Sequence, residues 1–199
     1  MTTDPQHSYV TLEEYWELDQ NSDVRYEYID GEVTMMSRGS LRHADISNNI
    51  VTLLKARLRG SSCRAYNSDV RVQVPQNRYV FPDATVTCNA EDRDEDVIIK
   101  FPRVIVEVLS PGTELTDRVK KLRLYQQCPT VQEYILVSTG RPLVEIHRRE
   151  KNGFWSYRSF GPDEEIVLVS LDVRFSIADI YDGVKFLQVE MMVETNLHS

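Results

Sequence analysis

Residues 79–86 read YVFPDATV, and residues 103–110 read RVIVEVLS. In the first stretch Val80, Pro82, Ala84 and Val86 alternate with Tyr79, Phe81, Asp83 and Thr85, the period of a β-strand with two usable faces. The second does not alternate: the residues around Glu107 are apolar on both sides, which predicts a central strand covered on both faces. An unpaired carboxylate buried there is costly, so Glu107 must be neutral, paired with a base, or bound to a cation. Ser110-Pro111-Gly112 ends the strand directly after it, and the carboxyl ends of central strands are where α/β folds build sites. Asp83 taken alone, behind a proline, reads as a turn residue. Together the two acids suggest neighbouring strands that point at one spot, where paired carboxylates suit a hard cation such as Mg²⁺. Such an ion can activate water against a phosphodiester. If the carboxyls converge without a metal, repulsion raises at least one of their pKa values.

Outward from these strands, Thr11 and Glu14 form a capping box at the head of a short helix, and Asp30-Gly31 marks a hairpin. Ile46, Ile50, Leu53, Leu54 and Leu58 make a helical stripe that Gly60 ends. RAYNSDVRVQV and RYVFPDATVTC read as two strands joined at Pro75-Gln76-Asn77, and NAEDRDEDV as a solvated loop. A helix opens at Thr113, followed by strands in QEYILVS, PLVEIHRRE and GFWSYRSF. With no linker or repeat, the chain reads as one α/β (α+β) domain over residues 1–184, a central mixed sheet flanked by helices, with a loose tail over 185–199.

No apolar run spans a bilayer, and the first residues lack the basic and apolar regions of a signal peptide, so cytoplasmic residence is expected. Cys63, Cys88 and Cys128 are odd in number and widely spaced, which reads as reduced packing residues. The net charge of −8 disfavours broad phosphate tracking, although KARLRG, DRVKKLR and HRREK supply local basic strips.

Lys121, in the helix after the Glu107 strand, is the candidate cation for such a site. Its competing assignment is a surface pair with Asp117 at i, i+4, and Lys120 is its neighbouring competitor. His43 extends the apolar stripe of the long helix, as a core histidine or as a residue supporting or ligating a metal. Glu27, Asp30 and Glu32 are explained by the first hairpin, from which Glu32 could reach a metal.

The ordered set YEYIDGEV, RHADISNNIVTLL, SDVRV, FPDATV, IVEVLSPGT, DRVKKLRLY and VQEYILVS resembles the Uma-two family, over roughly Val10 to Val184. That family has a restriction-endonuclease-like fold within the PD-(D/E)XK nuclease superfamily. The resemblance implies that Asp83 and Glu107 are metal ligands in a Mg²⁺-dependent nuclease fold; to these the Val108 carbonyl is added as a third ligand, and Mn²⁺ as the alternative ion. The wider superfamily places a lysine two residues after the strand acid. Leu109 stands there, and the resemblance moves that role to Lys121. His43 matches the family's helix histidine and Glu32 its hairpin glutamate.

The function implied is a metal-dependent endonuclease acting on DNA, with a homodimer as the natural unit for cutting two strands and no membrane partner. The alternatives are a non-catalytic module that keeps the fold for DNA binding or assembly, and a phosphoesterase for a small substrate. Retention of Asp83, Glu107 and Lys121 together favours the enzyme.

Overall fold

Pro82 divides what the sequence reads as one strand, and the division places Asp83. The computed structural model of the chain describes residues 9–36, 39–94 and 97–186. Helix α1 (Leu12–Gln20) starts on the expected capping box of Thr11 and Glu14. Strands β1 (Tyr26–Ile29) and β2 (Glu32–Met35) form a hairpin whose turn residues Asp30 and Gly31 take positive φ values of 54° and 85°, as a two-residue turn of this hand requires. Helix α2 (Leu41–Arg57) is capped by Ser40 and buries Ile46, Ile50, Val51 and Leu54.

The two strands expected next are four: β3 (Arg64–Asn67), β4 (Arg71–Val74), β5 (Arg78–Val80) and β6 (Ala84–Thr87). They are two arms of one long hairpin, and each arm breaks midway. The inner halves β4 and β5 pair with each other, the outer halves β3 and β6 likewise, but the two pairs belong to different sheets. Proline has no N–H for a ladder, so the break on the second arm falls at residues 81–83. Asp83 therefore lies where the chain crosses between sheets, which is why an acid behind a proline interrupts a strand pattern.

The acidic stretch is not wholly solvated. It forms the short helix α3 (Glu91–Asp94), where Asp92 is buried and accepts from the Thr87 hydroxyl and the N–H groups of Lys100 and Phe101. Strand β7 (Ile98–Ile99) leads to β8 (Pro102–Leu109), the Glu107 strand, buried along its length except at Arg103. The helix expected from Thr113 contains a π-helical turn, Thr116–Lys121, before it continues as α4 (Leu122–Gln127). Strands β9 (Glu133–Ser138), β10 (Val144–Arg149) and β11 (Trp155–Phe160), a hairpin of β12 (Glu165–Leu168) with β13 (Val173–Ser176), and α5 (Ile177–Ile180) complete the order.

The central sheet is mixed, as expected, with order β11-β10-β9-β8-β6-β3; only β8 and β9 run parallel. A second sheet, β2-β1-β5-β4-β7, had no counterpart in the sequence reading. Alternate residues of β8 fill different cores. Val104, Val106 and Val108 pack with α2, α5 and the β12–β13 hairpin, whereas Ile105 and Leu109 join α4 and the second sheet. Glu107 shares the side of Ile105 and Leu109, between the two sheets. Helix α1 closes the outer face of the second sheet through Tyr15, Tyr28 and Tyr79.

Cys63 and Cys88 correct the expectation of reduced cysteines: they form a disulfide, and Cys128 is free and buried. The β3–β6 register explains the meeting, because Arg64 opposes Thr87 and the next residues outward are these two. The loose tail expected from Lys185 lies, from residue 187 onward, outside the described residues. Phe186 packs edge-on against Tyr181 and lies under Arg42. Among the described residues no helix is long and apolar enough to cross a membrane.

Candidate active site

At the carboxyl end of β8, a cavity of about 330 Å³ opens between the two sheets, lined by Glu27, His43, Asp83, Glu107, Asp117 and Lys121 among others. Elements from five places in the chain meet there: β1, α2, the β5–β6 crossing, β8 and the π-helical turn.

Lys121 is at its centre. Its Nζ donates to Glu27 Oε1 at 2.9 Å and to Glu107 Oε1 at 3.1 Å, and stands 3.6 Å from Asp117 Oδ1. The lysine is 6% exposed and Glu107 5%, so this is an interior cluster and not the surface pair weighed from the i, i+4 spacing. Tyr125, one turn on in α4, donates its hydroxyl to the same Glu107 oxygen at 3.0 Å. The Asp83 carboxylate accepts from the N–H of Val108, the residue after Glu107, at 2.7 Å. His43 Nε2 lies 3.3 Å from the same Asp83 oxygen, and its Nδ1 stands 3.5 Å from the Ser47 hydroxyl. Gly39 packs against that ring so closely that a Cβ would stand 2.7 Å from Nδ1, so glycine there leaves room for the imidazole.

Burial and mutual repulsion set the charges. Burial pushes the Glu107 carboxyl well above the usual carboxylate range; Lys121 opposes this, while Asp117, Asp83 and Glu27 add to it. Burial also works against the Lys121 charge, but Glu107, Glu27 and Asp117 outweigh it and hold the ammonium well above the usual lysine range. Asp117 is raised by burial, against Lys121 and the Thr113 hydroxyl. The Asp83 hydrogen bond raises His43, with burial opposing. The raised carboxyl of the pair is thus Glu107, and burial is a larger cause than repulsion by Asp83. With three carboxyls facing one ammonium and Asp83 nearby, the cluster retains a proton on Glu107 more readily than an exposed carboxyl would.

Of the residues singled out from sequence, Asp83, Glu107, Val108, Lys121 and His43 all line this cavity. Glu32 does not. It is exposed and paired with Lys120, so both hairpin glutamate and competing lysine are occupied with each other outside the site. The hairpin register gives the reason. Glu27 opposes Thr34 and Glu32 opposes Ile29, so Glu32 shares Glu27's face but lies two residues nearer the turn, beyond the cavity. Glu27 takes the inner position, also accepting from the Phe81 N–H at 3.1 Å. The signal for it was present: an acid flanked by Tyr26 and Tyr28 in a buried strand, the same anomaly that marks Glu107. Asp117 and Tyr125 had no comparable signal, because their burial depends on where the π-helical turn lands.

A family model described as "Putative restriction endonuclease" (Uma2) matches residues 12–179. The chain belongs to the Uma2 family. An uncharacterized protein of Synechocystis sp. is 35% identical over 175 residues, covering 87% of this chain and 92% of the relative. A second from the same organism is 24% identical over 149 residues, 73% of this chain and 84% of its own. A crystal structure of a "putative nuclease" from Anabaena variabilis superposes with a TM-score of 0.72 at 20% identity, over 87% of this chain and 98% of that one. The Uma2 chain therefore has the restriction-endonuclease-like fold, with its cavity at the end of β8.

Proposed function

We propose that this Uma2 protein is a Mg²⁺- or Mn²⁺-dependent endonuclease that hydrolyses phosphodiester bonds in DNA. The observation that carries the reading is the buried Lys121 ammonium bonded to Glu107, with Asp83 anchored one residue further along the same strand. That arrangement supplies the two acids and one amine that metal-assisted phosphodiester cleavage uses, on a fold known for it.

The donor set fits a divalent ion. Asp83 Oδ1 and Glu107 Oε2 accept no hydrogen bond among the described residues, and both belong to side chains lining the cavity. Among those residues no group of three or more His, Cys, Asp and Glu forms a ready metal cage. Mg²⁺ does not need one: one or two carboxylates with waters and substrate phosphate complete its octahedron. Asp83 and Glu107 would hold the ion, with the Val108 carbonyl beside them. When bound, the ion supplies an activated water and stabilises the leaving oxygen.

The chain's own residues do the rest. Lys121, fixed by Glu27, places a permanent positive charge beside the Glu107 carboxylate, where charge develops on a phosphate. Tyr125 fixes the Glu107 rotamer from the protein side, so its other oxygen stays turned to the cavity. His43 orients Asp83 and shields its charge. The mouth continues into a second hollow of about 470 Å³ past His43 and Asp83, toward Asn48 and Asn67, which gives a strand a path across the acids.

Purified protein incubated with supercoiled, linear and single-stranded DNA, with Mg²⁺ or Mn²⁺, tests the reading. Cleavage by the parent and none by Glu107→Gln is expected. Absence of cleavage on all three DNAs with either ion would overturn it, and cleavage undiminished in Glu107→Gln would remove this cavity as its seat.

A further inference from the structure

Asp117 is the one acid of the cavity whose placement the proposed chemistry leaves unused. It is 2% exposed, its Oδ1 has no hydrogen-bond partner among the described residues, and that oxygen stands 3.6 Å from the Lys121 ammonium. Lys121 in turn carries three N–H donors and spends them at hydrogen-bond distance on only two carboxylates, Glu27 and Glu107. A buried acceptor and a spare donor thus face each other across a gap less than an ångström too wide. Native interiors seldom leave such a pair unmade without a reason.

A cation held by Asp83 and Glu107 supplies one. Two positive charges at a single carboxylate repel each other, and in a water-poor interior that repulsion is strong. Lys121 bonded to Glu107 therefore opposes the ion directly. Glu27 bonds the ammonium at 2.9 Å, so a small displacement toward Asp117 would relieve the repulsion without giving up that bond. The wide backbone turn of Thr116–Lys121 carries both residues, which keeps the two groups aligned for that exchange. The Tyr134 hydroxyl, bonded to the Asp117 carbonyl at 3.0 Å, fixes the Asp117 end, so the lysine side chain is the part that moves.

We propose that Asp117 is the alternate seat of Lys121: when a divalent cation engages Glu107, the ammonium leaves that carboxylate and bonds Asp117 Oδ1. This rests on the metal-dependent reading above and makes Asp117 a positioning residue, acting on the ion only through Lys121.

Calorimetric titration of Mg²⁺ and Mn²⁺ into the DNA-free protein tests it, using the parent, Asp117→Asn, Lys121→Met and the double variant. Asp117→Asn takes away the carboxylate to which the lysine would shift, so metal affinity should fall about tenfold or more, in the range for residues that support a ligand. In the Lys121→Met background the same substitution should change affinity by less than about twofold, because the residue it acts through is gone. Asp117→Glu, which keeps the charge and has the reach to close the gap, should retain parental affinity, and also serves if the asparagine variant does not fold. An equal loss in both backgrounds would overturn the proposal by making Asp117 a direct ligand. No loss in the parental background would overturn it by making Asp117 structural. A parent that binds neither ion would fail the metal reading itself, and this proposal with it, before any variant is compared.

Discussion

Lys121 and Lys120 are adjacent in sequence and opposite in setting. Lys120 reaches outward to Glu32 at the surface, a pair worth well under about 1 kcal/mol. Lys121 is enclosed by three acids. A charge that acts on the transition state is needed for rate more than for binding, so Lys121→Ala should lower turnover on the order of 10²-fold or more while the protein stays folded. Lys120→Ala should remain near parental activity. Equal turnover in the two variants would remove Lys121 from the chemistry. Glu107 carries a second prediction, in stability. Its folded pKa is raised by burial above the ordinary carboxylate value. The stability tied to its proton is therefore fully present below that ordinary value and is lost as pH rises through the raised one. Glu107→Gln has no proton to lose, so without metal its melting temperature should gain on the parent between pH 5 and pH 8. A difference that is flat, or that shrinks with pH, would show that Glu107 is already ionised in the folded apo-protein. At this scale the sequence was informative wherever an acid interrupted an apolar strand, as at Asp83 and Glu107. At Glu32 the expectation rested on the hairpin and on the family resemblance, which give its strand and not its distance from the cavity, and the structure places it at the surface with Lys120.

The π-helical turn is the element on which the site depends, and no periodicity predicts one. Valine, lysine and arginine at 118–121 suit an α-helix equally well. What holds the wider turn is external. Arg118 binds Glu145 of β10 at 2.6 Å on the outside, Lys121 binds Glu27 and Glu107 on the inside, and Tyr134 of β9 donates to the Asp117 carbonyl. Partners this distant in sequence explain why a helix was legible from Thr113 and its irregular turn was not. The broken hairpin is the same case: Pro82 signals an interruption, but only the second sheet gives β4 and β5 somewhere else to go. Tyr134→Phe should test the external hold. It removes one of two donors from a buried carbonyl that keeps the N–H of Leu122, and a hydrogen bond of this kind contributes about 0.5–1.5 kcal/mol. In urea denaturation the midpoint should fall by that free energy divided by the slope, with the slope itself unchanged. An unchanged midpoint would mean that the turn is held by its own helical bonds.

Over the whole molecule, charge opposes the proposed substrate. The chain carries a net −8, and its cavity gathers Glu27, Asp83, Glu107 and Asp117. The basic strips read from the sequence are spent in part internally, and Lys55, Arg57 and Arg59, which are exposed, stand at the end of α2 remote from His43. Arg148 binds Glu133, Arg149 binds the carbonyls of Gln126, Cys128 and Val131, and Arg118 binds Glu114 and Glu145. Among the residues lining the two hollows only Lys121 and Arg25 are lysine or arginine, so binding there has to rest on the ion at the acids and on contacts along the hollows. Each phosphate that a lysine or arginine neutralises releases counterions and steepens the salt dependence, by about 0.9 in log–log slope on duplex DNA. DNA bound by the cleavage-silent Glu107→Gln protein should therefore show a shallow slope, no steeper than about −3, corresponding to roughly three phosphate contacts or fewer. Fluorescence anisotropy of a labelled duplex between 50 and 200 mM salt measures it. A slope near −6 or steeper would require a continuous basic track, which Arg118, Arg148 and Arg149 cannot form while they hold the central sheet together. Binding would then have to draw on exposed cations away from the cavity, such as Lys55, Arg57 and Arg59 at the far end of α2, and the acids at the end of β8 would no longer account for how the substrate is held.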